Sequence, residues 1–293
     1  MSLREAPENQ RRAAIENFAH PEDIPRFDLV PVFGPDGARL VQYRGVRRSD
    51  TGAVVSVVSH RYGLLPHHQV AEAVHAIGEA LDKPAPEQGA PAFPRERITL
   101  FSGGRRMEIR LVVGTRYELA RGETCYPGVR VLNSLDGTVA LRCEGVGVRV
   151  ACANQLVGGL DSLVELREVH LSSATDLLGM LQRAIHGILD KFRDATRLYE
   201  TAMGEEVLSG DVEPSLVAAG LPLCYASEIG GRAEVAATHN ALLSRWSAYN
   251  LATSAITHEI APRVSPARSR EFERAAASAL LLPSGEEHGP ALA

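Results

Sequence analysis

The chain has 293 residues, of which 45% are hydrophobic and 23% charged, a composition typical of a globular protein with enough core for one large or two ordinary domains. No apolar run reaches the roughly 18–20 residues that a membrane span needs, and the N-terminal sequence has no signal-peptide core. We therefore expect a cytoplasmic protein without a membrane partner. The net charge of −5 is uneven, because residues 39–149 hold 16 Arg and Lys against 11 Asp and Glu while the remainder is acidic. A basic part joined to an acidic part permits an anionic partner.

The first part of the chain is predicted to contain short strands and one helix. Val70, Val74 and Ile77 recur at helical spacing, which predicts the helix, and a β-branched run predicts the strand before it. A loose arm is expected at residues 1–25, with a short helix at 11–18. Three short strands are expected at 27–33, 39–46 and 53–59. The helix is expected at 67–81.

Alternation of apolar and polar residues predicts further strands that pair as one antiparallel sheet. Two of them are expected at 97–101 and 106–113, and two or three more within 129–156. The segment Asn-Ser-Leu-Asp-Gly that ends at Gly137 reads as a turn, with Gly137 at positive φ. After Gly145 the apolar phase shifts, which predicts a bend there in a sheet with one covered face.

Beyond Gln155 the apolar period changes from two to between three and four, which is typical of helices. Three long helices are expected, at 172–203, 232–259 and 266–282. The sequence thus predicts an α+β protein, in which a basic antiparallel sheet with one packed helix is followed by a helical C-terminal half. The chain is predicted to begin with a flexible arm at 1–25, which is followed by a sheet-rich core at 26–160. A helical region packed on that core is predicted at 161–282, and a disordered tail at 283–293.

Arginines collect on the predicted sheet face that points away from the core. The planar guanidinium makes bidentate, always-charged contacts with phosphate, so this face is a candidate surface for nucleic acid. A solvated sheet face with a few ion pairs is the alternative. The candidate nucleic-acid-binding residues are Arg97, Arg110, Arg130, Arg142 and Arg149 on the strands and Arg105 and Arg106 in the connection between two of them.

Sequence motifs for catalysis, metal binding and cofactor binding are missing. The chain has no P-loop, no GxSxG and no HExxH, and GVGVR at 145–149 lacks the third glycine of a dinucleotide fingerprint. The four cysteines form no CxxC pair, and Cys143 and Cys152 fall on apolar strand faces, where buried free thiols are expected. We expect no cofactor and no metal.

Four segments between residues 59 and 260 carry a resemblance: SHRYGLLPHHQVAEAV, GGRRMEIRLVV, LNSLDGTVALRCEGVGVRVACANQL and RWSAYNLATSAITHEI. Together they resemble the phage/plasmid-like family catalogued as domain of unknown function 932 (DUF-932), over about residues 54–282. The most specific motifs are an N-S-x-D-G turn and a V-x-C-x-N strand end. The resemblance implies a phage or plasmid setting and no established activity. Its motif residues are Asn133, Ser134, Asp136, Gly137, Cys152 and Asn154.

A basic strand-rich core followed by helices is also similar in architecture to the single-strand annealing proteins, in which a sheet and a helix build an oligomeric ring with a positive groove. That resemblance implies a homo-oligomer. We therefore predict single-stranded DNA binding connected with strand annealing, recombination or replication of a mobile element, and favour this over catalysis. The alternatives are an uncharacterised enzyme with a pocket around Asn133, Asp136, Cys152 and Asn154, or a structural or interaction protein of a mobile element.

Overall fold

An eight-stranded antiparallel sheet lies at the centre of the fold. The computed structural model describes residues 15–81, 95–113, 117–118, 124–149, 155–156, 166–168, 176–237, 241–264 and 266–281. Within those residues, strands β1 to β13 span Glu16–Phe18, Phe27–Phe33, Arg39–Arg48, Val54–Ser59, Glu96–Phe101, Arg106–Val112, Tyr117–Glu118, Thr124–Ser134, Leu141–Arg149, Gln155–Leu156, Leu166–Glu168, Glu206–Leu208 and Leu242–Ser244. Helices α1 to α6 span His67–Ala80, Leu177–Gly204, Ser209–Ala218, Leu223–Ala236, Arg245–Ala255 and Pro266–Leu280.

The strand order in the central sheet is β1-β5-β6-β8-β9-β10, with β7 added to β8 and β11 added to β9. Smaller sheets are formed by β2-β3-β4 and by β12-β13. The protein therefore belongs to the α+β class, with a strand-rich first half and a helical second half, as the change of apolar period predicted.

One face of the central sheet, here called the inner face, packs on α1 and α2. Ile98, Ile109 and Val131 are opposite one another on neighbouring strands and are fully buried in the main core. Helix α1 presents its predicted stripe, including Val70 and Val74, to the same core. Burial of these aliphatic side chains is the main favourable free-energy contribution to this layer, since each contributes about 1.5–3 kcal/mol when fully buried.

The opposite face, here called the outer face, is also covered, which differs from the prediction of one covered face. Val146 faces outward beside Glu144 and is only 1% exposed. Strand β9 runs through Gly145 without a register shift against β8. The predicted bend at Gly145 is therefore wrong. Val146 is apolar although it faces outward, because the outer face is also buried, and the prediction took this apolar residue as a sign that the strand had changed phase.

The N-terminal strand and the C-terminal helices also differ from expectation. Residues Glu16–Phe18, predicted as the end of a short helix, form an edge strand paired with β5. The predicted helix at 232–259 is divided, since β13 pairs with β12 between α4 and α5. Ser244 begins α5, because its side chain accepts a hydrogen bond from the Ser247 amide. None of the described helices combines the length and apolar character needed to cross a bilayer.

The predicted turn after β8 is confirmed in its geometry. Gly137 has φ +71°, and the Asp136 carboxylate accepts a hydrogen bond from the Thr138 amide at 3.0 Å. The Tyr62 hydroxyl donates to the Ser134 carbonyl at 3.1 Å, and burial raises the pKa of Tyr62 to about 12. This turn therefore joins the central sheet to the segment that follows β4.

Replacing Gly137 with Val is expected to lower the free energy of unfolding by about 1–2 kcal/mol or more, because a β-branched residue is strained at positive φ. A Cβ at this position would also lie 3.4 Å from the Tyr62 ring. The matched control is Gly137→Asn, since Asn tolerates the left-handed region and should cost less. Urea denaturation measures both variants, and equal midpoints for the two would contradict the assigned strain.

Candidate functional site

Five of the seven predicted arginines, Arg97, Arg106, Arg110, Arg130 and Arg142, are at register positions of the outer face of the central sheet. Arg149, predicted on the same face, is instead opposite Cys125 at a register position of the inner face. Arg97, Arg110 and Arg130 are opposite one another on β5, β6 and β8, and Glu144 of β9 follows Arg130 in the same row. Arg142 is on the same face, opposite Leu132. The sequence pattern thus identified the shared face through strand alternation alone.

Arg130 is buried in ion pairs and is not part of an open surface. Its side chain is 1% exposed. Its Nε and Nη2 donate to Oε2 of Glu144 at 3.1 and 2.9 Å, and its Nη1 donates to Oε2 of Glu273 on α6 at 3.3 Å. Burial alone would lower the pKa of Arg130, but the charges of Glu273 and Glu144 outweigh that effect and raise it. Arg130 therefore joins the sheet to the last helix.

The two buried carboxylates of the outer face are also paired more than once. Glu144 accepts from Arg274 at 3.0 Å in addition to Arg130, and Glu108 lies 2.5 Å from Nε of Arg110 and 3.5 Å from Nη1 of Arg270. Burial would raise the pKa of Glu108, but the nearby arginines outweigh it and hold the pKa below its ordinary value. Both carboxylates are therefore ionised partners of a network between the sheet and α6.

Helix α6 explains why the predicted open row of arginines is instead a covered interface. It supplies Arg270, Glu273 and Arg274, which lie on one side of the helix because they are three and four residues apart along it. Arg270 pairs with Glu108, Glu273 with Arg130, and Arg274 with Glu144. Sequence reasoning identified this helix but assigned no role to its charges. The available signal was the run Arg-Glu-Phe-Glu-Arg from Arg270, which carries alternating charges beside an apolar stripe.

A cleft of about 520 Å³ lies between the outer face and the C-terminal segment. Among the described residues that line it are four arginines and two glutamates, so the lining has a surplus of two positive charges. Polar groups from the C-terminal segment, Thr257, His258 and Ser269, complete it. The charged lining residues are Arg97, Arg110, Arg130, Arg270, Glu108 and Glu273. We call this the arginine cleft.

The backbone beside the arginine cleft is irregular at the place where it supplies side chains. Helix α5 continues into a π-helical turn at Ile256–Ile260, which contains Thr257 and His258. Single π turns are rare and occur frequently at functional sites. Burial lowers the pKa of Arg270, and the nearby charge of Arg130 lowers it further. The second effect is consistent with excess positive charge in the cleft.

The other predicted arginines lie outside the lining of this cleft. Arg105 donates to the Ser102 carbonyl at 3.0 Å, and Arg106 donates to the Thr138 hydroxyl at 3.1 Å. Arg142 lies 3.3 Å from Glu144. Arg149 is described in its backbone alone, where it is opposite Cys125. The predicted set of seven is therefore brought together only in part.

The described family-motif residues have structural roles. Nδ2 of Asn133 donates to the Leu65 carbonyl at 2.9 Å and lies 3.0 Å from Nδ1 of His67, whose Nε2 lies 3.0 Å from the Gly104 carbonyl. This pattern assigns the proton of the buried imidazole to Nε2. Ser134 bonds with Val139 across the turn in both directions.

Only two of the four residues of the alternative pocket, Asn133 and Asp136, are among the described residues. Asn133 is buried between β8 and the start of α1, whereas Asp136 is in the turn after β8. Cys152 and Asn154 lie outside the described residues. Cys125 and Cys143 are buried. Among the residues that the structure describes, no group of His, Cys, Asp and Glu could hold a metal ion.

Replacing Arg130 with Met is expected to lower the free energy of unfolding by about 3–5 kcal/mol, because buried carboxylates lose a partner that they cannot exchange for water. Arg106→Met is the matched control, since its guanidinium bonds to a hydroxyl in an exposed turn and its loss should cost about 1 kcal/mol or less. Urea denaturation of both variants measures the difference. Similar losses would show that Arg130 is not the main link between the sheet and α6.

The pH dependence of stability should report the same network. Because the pKa of Glu108 and of Glu144 is lower in the folded state, the unfolded chain binds more protons once the pH falls below about 5. The free energy of unfolding should therefore fall with decreasing pH until the folded carboxyls are protonated. Denaturation between pH 7 and pH 3 tests this, and Arg130→Met should have a shallower slope. Parallel slopes for the two proteins would contradict the assigned cause.

The family model described as Domain of unknown function (DUF932) matches residues 54–279. The match begins at β4 and ends within α6, so it includes the outer face of the sheet and most of the helix that covers it. No curated protein and no solved structure matches the chain. The chain belongs to the family defined by this domain of unknown function, DUF932.

Proposed function

We propose that the protein binds single-stranded nucleic acid through the arginine cleft, which accepts one phosphate or a short run of phosphates. The observation that carries the proposal is the surplus of arginine charge in a cleft of about 520 Å³. Pockets of about 300–1,000 Å³ are the usual size for small ligands, which includes a nucleotide unit. The proposed process is recombination or replication of a mobile element, with strand annealing as the activity that such binding would support.

The chemistry of the lining favours phosphate over other anions. Arginine forks bind phosphate oxygens in pairs, and the hydroxyls of Thr257 and Ser269 are short donors of the kind that often contact phosphate. Arg97 is the exposed member at the mouth of the cleft, where its Nε and Nη2 share Oδ1 of Asn17 at 3.2 and 3.1 Å. A phosphate oxygen would be a stronger acceptor than this amide oxygen, because it is charged.

The burial of Arg130 restricts the number of phosphates that the cleft can neutralise. Arg110, Arg130 and Arg270 already pair with buried carboxylates, so Arg97, the exposed arginine of the lining, is the side chain best placed to contact a ligand. Binding should consequently be weakly salt dependent for a nucleic-acid-binding protein, with about one to three phosphates neutralised and a slope of roughly −0.7 for each. A ring of such protomers would multiply the contacts, which is why the proposal includes a homo-oligomer.

Charge reversal at Arg97 should weaken binding of a fluorescein-labelled single-stranded oligonucleotide by about tenfold or more, since a charged hydrogen bond is lost and a repulsive charge is added. The slope of log affinity against log salt should fall by roughly 0.7. Fluorescence anisotropy from low to physiological salt measures both quantities.

The matched control is Arg105→Glu, which makes the same change of charge on an exposed residue outside the cleft. It should leave most of the affinity and the slope intact. Equal weakening by the two variants would indicate a diffuse basic surface instead of the arginine cleft. Absence of binding to the native protein at low salt, with the fold intact, would overturn the proposal.

A further inference from the structure

A second cleft, of about 660 Å³, lies at the β1 edge of the central sheet, where β1, α1 and β5 meet. Arg97 lines this cleft as well as the arginine cleft, so the two share one side chain. We call it the edge cleft. The lining side chains that matter to its chemistry are Phe18, His20, His75, Arg95, Glu96 and Arg97.

The edge cleft contains an acceptor that the described protein does not satisfy. Glu96 is 12% exposed, and its Oε2 lies 2.8 Å from Nδ1 of His75. Its Oε1 is buried and has no hydrogen-bond partner among the described residues, and Glu96 is one of the residues that line the edge cleft. A buried acceptor without a partner costs about 1–3 kcal/mol, so a donor supplied by a ligand would recover that free energy.

The walls of the edge cleft suit a flat ring. Phe18 is partly buried against the core, and the imidazoles of His20 and His75 lie on the same lining. Aromatic side chains of this kind stack on the bases of single-stranded nucleic acid. Arg97 adds a cation at the boundary with the arginine cleft, where a phosphate attached to such a ring would lie.

The wall is held firmly in place on both sides. Beside Phe18, Glu16 accepts two hydrogen bonds from Arg48, at 2.5 and 2.6 Å. Across the cleft, Arg95 donates to the Glu79 carboxylate at 2.9 Å and to the Leu81 carbonyl at 3.1 Å, and so satisfies the C-terminal end of α1. The Nη atoms of Arg95 are therefore engaged by α1, whereas Nε of Arg95 and Oε1 of Glu96 are buried without a partner among the described residues.

We propose that the edge cleft binds a nucleobase that carries an exocyclic amino group, with Oε1 of Glu96 accepting from that group and Arg97 contacting the attached phosphate. This inference rests on the proposed function, because it names the base that accompanies the phosphate in the arginine cleft. Carboxylates accept from the N4 amino group of cytosine in the same way. Uracil has a carbonyl oxygen at that position, and its remaining ring N–H is flanked by two carbonyl oxygens that a carboxylate repels.

The test compares oligo-deoxycytidine with oligo-deoxyuridine of equal length, because the two have the same backbone and differ at the amino position. By fluorescence anisotropy at low salt, the native protein should bind the deoxycytidine strand about tenfold more tightly, since one good pairing to a base edge discriminates by roughly that factor or more. Glu96→Gln should reduce the ratio toward one, because the amide offers a donor as well as an acceptor. Affinity for deoxyuridine and the salt slope should change little.

The matched control is Glu79→Gln, which makes the same substitution at a glutamate of the same cleft that is already paired with Arg95. It should keep the cytosine preference. Equal affinities of the native protein for the two strands, with salt-dependent binding intact, would overturn this inference and leave the proposed function standing. Loss of the preference in both variants would show that it follows the negative charge of the cleft and not the acceptor of Glu96 in particular, which would also overturn this inference. If neither strand bound, the proposed function would fail and this inference with it.

Discussion

The buried guanidinium of Arg130 is the contact on which the outer half of the structure depends. It lies between Glu144 on the neighbouring strand and Glu273 on α6, so one side chain connects the sheet to the helix that closes it. Removing an arginine and two carboxylates from water is costly, and a network of this kind is retained only when its geometry satisfies each charge. A polar interface of this type fixes where α6 lies, because apolar packing alone would tolerate a shift along the sheet. The arginine cleft is a consequence of that position, since the helix covers one end of the arginine row and leaves Arg97 at the mouth of the cleft.

Much of the sheet was predictable because alternation is a local property. Ile98, Ile109 and Val131 were readable as one face, and Arg97, Arg110 and Arg130 as the other, before any pairing was known. The turn at Gly137 was predictable for the same reason, since positive φ is determined by a few neighbouring residues. What alternation cannot show is what covers a face. Val146 was read as a change of phase because the partners that cover the outer face are distant in the sequence. Arg274 is 130 residues from Glu144, and Glu273 is 143 residues from Arg130.

The same limit explains the candidate site. The arginines were correctly assigned to one face of the sheet, but they were wrongly expected to be exposed. Their number signals positive charge and does not reveal the glutamates that pair with them, Glu144 on β9 and Glu273 on α6. The edge cleft was missed entirely. Its members come from a strand near the N-terminus, from α1 and from β5, and Asn17, His75 and Glu96 form no spacing in the sequence that points to a common site. Such a site is defined by strand order, in which β1 pairs with β5 across 80 residues, and strand order is a property of the whole chain.

The family match begins at residue 54, and this boundary divides the residues of the two clefts differently. The charged residues of the arginine cleft all fall within residues 54–279, whereas Phe18 and His20 of the edge cleft belong to the segment before that range. Under the proposed function, the matched part would supply the phosphate-binding arginines, and the N-terminal segment would supply part of the wall on which a base stacks. Glu96 lies within the match but borders a cleft whose other side, at Phe18 and His20, lies outside the match. The strand that carries Phe18 is held in place by the contact between Glu16 and Arg48. If the edge cleft binds a base as proposed, its selectivity would arise at the junction between the strands of the matched range and β1, which precedes that range.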